Sequence, residues 1–187
     1  MRFDFQYRYI DLYFTTATIL NWKHLLKPDK YKRIITDSLQ YLVMEQSVWV
    51  YGFVIMPNHF HLIWQMRDEV SLPRIQQRMM KYVSQKIKSD LRFHHPLVLD
   101  HFKVIRKDRH YQFFKEKPLS IPLYTEEVVW QKIEYVHRNP VQPKWRLAAQ
   151  PNEYFFSSAG FYVNRDRQWP FLTHFWYGDD WPEVCDL

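Results

Sequence analysis

Residues 48–65 read VWVYGFVIMPNHFHLIWQ, and this stretch has the clearest structural pattern in the chain. Residues 48–56 form an apolar run rich in β-branched and aromatic side chains, which predicts a buried strand. Pro57-Asn58 is typical of a tight turn, so residues 59–65 are expected to return as an antiparallel partner strand. The sequence therefore predicts a β-hairpin whose second arm begins at the first histidine.

That second arm carries His59-Phe60-His61. Successive side chains of a strand point to opposite faces, so the two histidines share one face and Phe60 points into the other layer. Two adjacent imidazoles can supply two of the ligands of a small divalent-metal site. They lack a third ligand, and the same pattern also occurs in core strands that bind nothing.

The flanking sequence predicts the remaining elements. Apolar spacing, capping residues and β-rich composition give, in chain order, a strand at 9–18, a helix at 28–46, the hairpin, a helix from Ser71 to about Leu91, a possible strand at 102–105 and a helix from Thr125 to Arg138 that Pro140 ends. This order predicts an α+β fold, an antiparallel sheet with helices packed on one face.

Length and composition limit the organisation of the chain. With 187 residues and 47% hydrophobic content, it can bury one substantial core. We predict one domain at 1–162, followed by a tail at 163–187 that is rich in tryptophan and acidic residues. The three glycines are too few for a glycine-rich phosphate loop to organise the protein, which excludes P-loop nucleotide enzymes.

The charge balance favours a polyanionic partner. Lys and Arg number 26 against 20 Asp and Glu, which gives a net charge of +6. Candidate DNA-binding residues fall in two groups, Arg74, Arg78 and Lys81 on the second helix and Arg106, Lys107 and Arg109 beside aromatic residues. For the helical group, a solvated charged surface and a phosphate-contacting surface both remain open. For the second group, chance interleaving in an aromatic-rich chain is the alternative.

The only cysteine, Cys185, cannot form an intrachain disulfide, which fits a reducing cytoplasm. The longest apolar run is too short to span a bilayer, which needs roughly 20 residues. Charged residues also interrupt the start of the chain, so we expect no signal peptide. The sequence thus predicts a cytoplasmic protein without a membrane partner.

The last predicted helix supplies what the histidine pair lacks. Tyr135 and Asn139 are four residues apart and hence neighbours on one flank of that helix. If the helix packs beside the hairpin, Asn139 can give an oxygen ligand to a metal held by His59 and His61. A nitrogen and oxygen ligand set without thiolate tolerates Mg²⁺ or Mn²⁺, although imidazole by itself favours transition metals. Taken singly, Tyr135 also suits a packing role and Asn139 a helix end before Pro140.

These parts together favour phosphodiester chemistry. A bound metal polarises a phosphodiester oxygen, and a tyrosine hydroxyl can attack phosphorus if a cation or base helps it to lose its proton. Attack by Tyr135 would release a 3′-hydroxyl and leave a 5′-phosphotyrosine. Because that linkage conserves the bond energy, a later hydroxyl could reverse the step and join a different strand.

Three segments carry a resemblance to a known family: FVIMPNHFHLI at 53–63, YVHRNPV at 135–141 and NEYFFSS at 152–158. In these segments, and in element order over about 9–162, the chain resembles the single-tyrosine transposases of the histidine-hydrophobic-histidine endonuclease superfamily, especially the REP-associated tyrosine transposases. The sequence departs from that family pattern at residues 142–146, where QPKWR replaces a short glycine-containing turn. Residues 93–124 also lack the family's tryptophan-glutamine-aromatic pattern.

The resemblance implies a ferredoxin-like fold, with Mg²⁺ or Mn²⁺ held by His59 and His61. It further implies that Tyr135 is the nucleophile, that Asn139 is a third metal ligand, and that the substrate is single-stranded DNA with palindromic hairpins. A DNA partner of this kind implies association with the nucleoid. Two other functions remain open: a non-catalytic DNA-hairpin-binding module and a metal-dependent phosphodiesterase that uses water. A monomer and a homodimer are equally compatible with the sequence.

Overall fold

The structure is a computed structural model that describes residues 9–67 and 70–178. Helices and strands alternate along the chain much as the sequence predicts. In order, the elements are β1 (Leu12–Thr18), α1 (Asp29–Met44), β2 (Val48–Ile55), β3 (His59–Met66), α2 (Leu72–His94), α3 (Pro96–Asp100), β4 (Leu119–Pro122), α4 (Glu126–Arg138) and α5 (Ala159–Asn164). Short 3₁₀ turns occupy Leu20–Trp22 and Pro151–Glu153.

The predicted hairpin is confirmed at the centre of the sheet. β2 and β3 pair antiparallel across the turn, and β3 also pairs antiparallel with β1. Within the described residues the sheet has the strand order β2-β3-β1-β4. With one helix after β1 and another after β3, this is the arrangement of a ferredoxin-like β-α-β-β-α-β unit. The predicted α+β fold with an antiparallel sheet is therefore confirmed.

The last strand lies later in the chain than predicted. Residues 102–105 do not form a strand, because Phe102 is a buried core residue within a turn. The strand that completes the sheet is β4, which pairs with β1 at the sheet edge and is largely exposed. Its sequence, LSIP, is only four residues long, and its two apolar side chains, Leu119 and Ile121, are exposed, so it lacks the longer buried pattern that identifies a strand.

Helices cover both faces of the sheet, which corrects the prediction of one covered face. α1 and α2 pack on the face that carries Phe60, Leu62 and Trp64, and their predicted apolar stripes are buried there. α4 packs on the opposite face, against Ile63 and its neighbours. Because β3 is buried along its whole length, it needs cover on both sides. No helix in the described ranges is long and apolar enough to cross a membrane.

The outer edge of β2 is covered by the chain that follows α4. Residues 156–158 pair with it through the Ile55 N–H to Phe156 carbonyl bond of 2.9 Å and the Ser158 N–H to Phe53 carbonyl bond of 2.9 Å. Part of the predicted tail continues this cover, with Trp169 and Phe171 in the core beside α1 and α2. Residues 179–187 lie outside the described residues, so the boundary at 162 stays a prediction.

Candidate metal and DNA site

His59 and His61 project from β3 toward α4, on the face opposite Phe60. Their ring centroids are 4.8 Å apart, and both side chains are buried. In the register of the sheet, His61 lies opposite Thr16 and His59 opposite Thr18 of β1. The shared face that strand alternation predicts is therefore present.

Neighbouring side chains fix the orientation of both imidazoles. The Asn58 amide nitrogen donates to the Trp22 carbonyl at 3.2 Å, so its amide oxygen faces His59 and accepts from Nδ1 at 2.7 Å. The proton of neutral His59 then sits on Nδ1, and Nε2 keeps its lone pair. The His61 Nδ1 bonds to the Thr16 hydroxyl at 2.8 Å. Hydrogen bonds at Nδ1 that free Nε2 are typical of histidines that bind metals.

The Nε2 atom of His61 is one of three buried side-chain nitrogens or oxygens in the described residues without a hydrogen-bond partner. Leaving such an atom unsatisfied costs roughly 1–3 kcal/mol, so each one calls for an explanation. Binding of a metal ion by this nitrogen is one explanation, because the ion would use the lone pair of Nε2.

Asn139 supplies an oxygen atom at the same place. It lies at the C-terminal end of α4, is almost fully buried, and its side chain lies beside the His59 imidazole. Its amide nitrogen faces the Tyr135 carbonyl at 3.5 Å, so the amide oxygen faces the imidazole. Two imidazoles and one amide oxygen therefore lie close together, a set that tolerates Mg²⁺ or Mn²⁺ although imidazole by itself favours transition metals. Among the described residues, no group of three or more His, Cys, Asp and Glu could hold a metal.

Tyr135 lies beside this set of donors and is 44% exposed. The centroid of its ring is 5.3 Å from that of His61 and 6.0 Å from that of Phe14. Lys132, one helical turn earlier, places its ammonium nitrogen 6.0 Å from the Tyr135 ring centroid. The structure thus brings a phenol, a cation and the three donors together, with the phenol reachable from solvent.

Burial keeps both histidines neutral. Burial, together with the charge of Lys144, lowers the pKa of His59 to about 4, against a weaker opposing effect of the Asn139 hydrogen bond. Burial first, and then the neighbouring His59, Lys132 and Lys144, lowers the pKa of His61 to about 3. At neutral pH both rings therefore have lone pairs that can bind a cation.

α4 is held in place by hydrogen bonds at both ends. The Thr125 hydroxyl accepts from the Val128 N–H at 3.4 Å and caps its start. Near its end, the His137 Nε2 bonds to the Ser158 hydroxyl at 2.9 Å, and that hydroxyl also accepts from the Phe53 N–H of β2 at 3.0 Å. This link fixes the last turn of α4, and with it Tyr135 and Asn139, against the sheet.

The two predicted DNA-binding groups lie apart from these donors. Arg74, Arg78 and Lys81 are exposed on α2, across the sheet from the histidines, and Arg78 pairs with Glu45 at 2.5 Å. In the second group, Arg106 pairs with Glu116 and Arg109 pairs with Asp108 at 2.6 Å; Lys107 is exposed in the same loop. Of the aromatic residues next to this group in the sequence, Phe113 and Phe114 are buried in the core and cannot stack on bases. DNA contact by the six cations stays a prediction.

Other residues that sequence reasoning missed surround the donors more closely. They are Trp22, Lys115, Lys132, Lys144 and Trp145. Lys132 could have been identified from the sequence, because residues three apart on a helix are neighbours and Lys132 precedes Tyr135 by three. The pairing of Trp22 with Lys115 could not have been predicted, because the two are far apart in sequence.

Comparison with known proteins identifies a structural neighbour. A solved structure of a REP-associated tyrosine transposase bound to a REP hairpin matches 94% of this chain and 89% of its own, with a TM-score of 0.61 and 15% sequence identity. No protein-family model matches the chain, and no curated protein matches it in sequence. At this identity the likeness shows the fold alone, which the two chains share over nearly the whole length of this one.

Proposed function

We propose that the protein is a metal-dependent enzyme that nicks and rejoins single-stranded, hairpin-forming DNA through a covalent bond to Tyr135. The observation that carries this proposal is the buried Nε2 of His61, which has no hydrogen-bond partner among the described residues and belongs to a ring in contact with His59 and with the solvent-accessible Tyr135. The fold shared with a hairpin-bound transposase supports a DNA substrate of the same kind.

His59, His61 and Asn139 would hold the metal. Mg²⁺ or Mn²⁺ bound there would polarise a phosphodiester oxygen and stabilise the negative charge of the transition state. Burial keeps the imidazoles neutral, and the Asn58 and Thr16 hydrogen bonds hold the rings in orientation before any cation arrives. The Lys132 ammonium adds positive charge beside the position that a phosphate against Tyr135 would take.

The covalent step needs no reactants other than the Tyr135 hydroxyl and the DNA. The bond between its hydroxyl oxygen and phosphorus forms, the bond from phosphorus to the 3′-oxygen breaks, the phenolic proton is lost and the leaving 3′-oxygen gains one. The exposure of Tyr135 gives DNA access to its hydroxyl, and the edge contact with His61 holds the tyrosine ring near the donors. Joining is the same step in reverse with a different 3′-hydroxyl.

A second candidate, the non-catalytic hairpin-binding module, is favoured by one observation. The donor set contains no carboxylate, and an amide in its place makes a weaker site for a hard cation. Hairpin binding that is insensitive to chelator and gives no covalent product would favour this module. A water-using phosphodiesterase would instead cleave the DNA without any adduct.

The experiment is a covalent capture assay. A hairpin oligonucleotide labelled at its 3′ end is incubated with protein and Mn²⁺, and the expected product is a labelled protein band on a denaturing gel. Tyr135→Phe should abolish the band. Tyr177→Phe is the matched control, because Tyr177 is 46% exposed and also lies beside a histidine ring, that of His174 at 4.9 Å. A band that persists in Tyr135→Phe would reject the nucleophile.

A further inference from the structure

Five aromatic rings lie in successive contact across the candidate site. From Tyr135 the centroid spacings are 5.3 Å to His61, 4.8 Å on to His59 and 5.8 Å on to Trp145. Trp22 lies 6.5 Å from His59. The tyrosine therefore occupies one end of the row and two tryptophans the other, with the metal-binding donors between them.

Each tryptophan at that end is paired with a lysine. The Lys115 ammonium lies 4.3 Å from the Trp22 ring centroid, and the Lys144 ammonium lies 5.5 Å from that of Trp145. Trp22 is 55% exposed, whereas the indole nitrogen of Trp145 is buried and has no hydrogen-bond partner in the described part of the chain. Exposed aromatic faces with cations beside them are the arrangement that binds single-stranded nucleic acid.

The backbone of Trp22 is held in an unfavourable conformation. Its φ is 57° and that of Asn21 is 55°, a left-handed region that bulky side chains rarely adopt. The Trp22 carbonyl accepts from the Asn58 amide, and the same amide orients His59. Such strain persists when surrounding contacts enforce it, and it concentrates at functional sites. Asn58 thus fixes Trp22 and the imidazole as one unit.

We propose that the Trp22–Lys115 and Trp145–Lys144 pairs form a stacking platform for the unpaired DNA nucleotides immediately 5′ of the cleaved phosphodiester. This inference rests on the proposed function. The indole faces stack bases without regard to sequence, and the two ammonium groups contact phosphates.

The position of the tyrosine determines which side of the cut the platform holds. In phosphoryl transfer the attacking and leaving oxygens lie roughly in line on opposite sides of phosphorus. Attack from the Tyr135 end therefore directs the leaving 3′-oxygen, and the nucleotides 5′ of it, toward the tryptophan end. Retention of that strand on the platform keeps its 3′-hydroxyl next to the phosphotyrosine and favours rejoining over release.

The test measures binding by fluorescence anisotropy, with chelator present so that no cleavage interferes. The probe is a labelled hairpin oligonucleotide with three unpaired nucleotides 5′ of the cut, compared with the same probe carrying abasic sites there. Trp22→Ala and Trp145→Ala should each weaken binding of the intact probe about 5- to 100-fold, and the abasic probe should bind wild type and variants alike. Trp22→Phe and Trp145→Phe retain a ring, so they should restore most of the affinity.

The matched control is the Tyr82 and Lys86 pair on α2, where an ammonium lies 5.6 Å from a half-exposed aromatic ring on the other side of the sheet. Tyr82→Ala should leave affinity unchanged. Equal losses with intact and abasic probes, no loss in the tryptophan variants, or an effect of abasic sites 3′ of the cut instead would each overturn the platform. Because the assay involves no cleavage, it reports on the platform separately from the covalent capture assay.

Discussion

The two faces of the sheet differ in what their buried atoms do. On the α1 and α2 face, β3 contributes Phe60, Leu62 and Trp64 to a continuous apolar core. On the α4 face the same strand contributes His59 and His61, the latter with an unsatisfied nitrogen. One face is packed mainly with apolar side chains, whereas the other combines an apolar cluster around Ile63 with polar groups whose burial costs stability and suits a ligand.

This difference arises within three consecutive residues. Strand alternation sends Phe60 one way and its two neighbours the other, so a single strand serves the core and the candidate site together. α4 completes the contrast, because it covers the histidine face and brings Tyr135 and Asn139 with it. The following predictions separate the two faces, in decreasing order of effect.

The largest effect is expected from His61→Gln on the α4 face. Loss of the imidazole should reduce the yield of metal-dependent protein–DNA adduct by at least about 100-fold, because a proposed ligand is removed. The free energy of unfolding should fall by about 1–2 kcal/mol, because the buried Nδ1 bond to Thr16 is lost, which is less than the fall expected for removal of a core ring. Mn²⁺ should raise the melting temperature of wild type and not of this variant. His101→Gln, at an exposed histidine, is the control and should retain both responses.

Phe60→Ala, one residue away, tests the other face. Removal of a fully buried ring from the core should lower the free energy of unfolding by about 3–5 kcal/mol, as measured by denaturant unfolding. Phe93→Ala removes a ring that is 76% exposed and should change it by less than about 0.5 kcal/mol. Similar values for the two variants would contradict the assignment of Phe60 to the core.

Acid sensitivity should arise on the α4 side. Burial lowers the pKa of His137 to about 4, so its folded-state pKa lies below the unfolded value near 6.5. Stability from this group is therefore complete above pH 6.5 and is lost as the pH falls toward 4, by up to about 3 kcal/mol. Unfolding of wild type and His137→Gln measured across this range should show a flatter pH dependence in the variant. Parallel curves would rule out His137 as a source of the acid sensitivity.

Ser158→Ala should have a smaller effect on the same side. The hydroxyl joins His137 of α4 to the backbone of β2, and its loss leaves the His137 Nε2 without its bond. We expect the free energy of unfolding to fall by about 1–2 kcal/mol and the adduct yield to fall less than in His61→Gln. An adduct yield unchanged in the folded variant would show that this link does not position Tyr135.

The sequence predicted the elements that local pattern controls. The hairpin has a turn signal and an unbroken apolar run, and α1, α2 and α4 have regular apolar stripes, so each was placed within a few residues. β4 was missed because LSIP is a short, exposed edge strand whose pairing with β1 depends on distant sequence. The unbroken apolar run of β2 is typical of a strand buried on both faces, and it therefore favours cover on both sides of the sheet over the predicted single covered face.

The candidate site divides in the same way. His59 and His61 were predictable from strand alternation, and Tyr135 with Asn139 from helical spacing, because each pair depends on local geometry. Their convergence depended on how α4 packs, which sequence spacing alone does not determine. Residue charge likewise could not show that Arg74 and Arg78 lie across the sheet, while Lys132 and Lys144 lie beside the histidines. Charge indicates a polyanion partner but not the surface that meets it.

The central claim is that the α4 face joins DNA to Tyr135, and peptide mapping of the captured complex tests it most directly. Wild-type protein is incubated with Mn²⁺ and a hairpin oligonucleotide, digested with nuclease and protease, and analysed by mass spectrometry. We predict a nucleotide linked through its 5′-phosphate to the peptide containing Tyr135. When a chelator is present, this linked peptide should be absent. A linkage on any other residue, or cleaved DNA with no linked peptide, would contradict the claim.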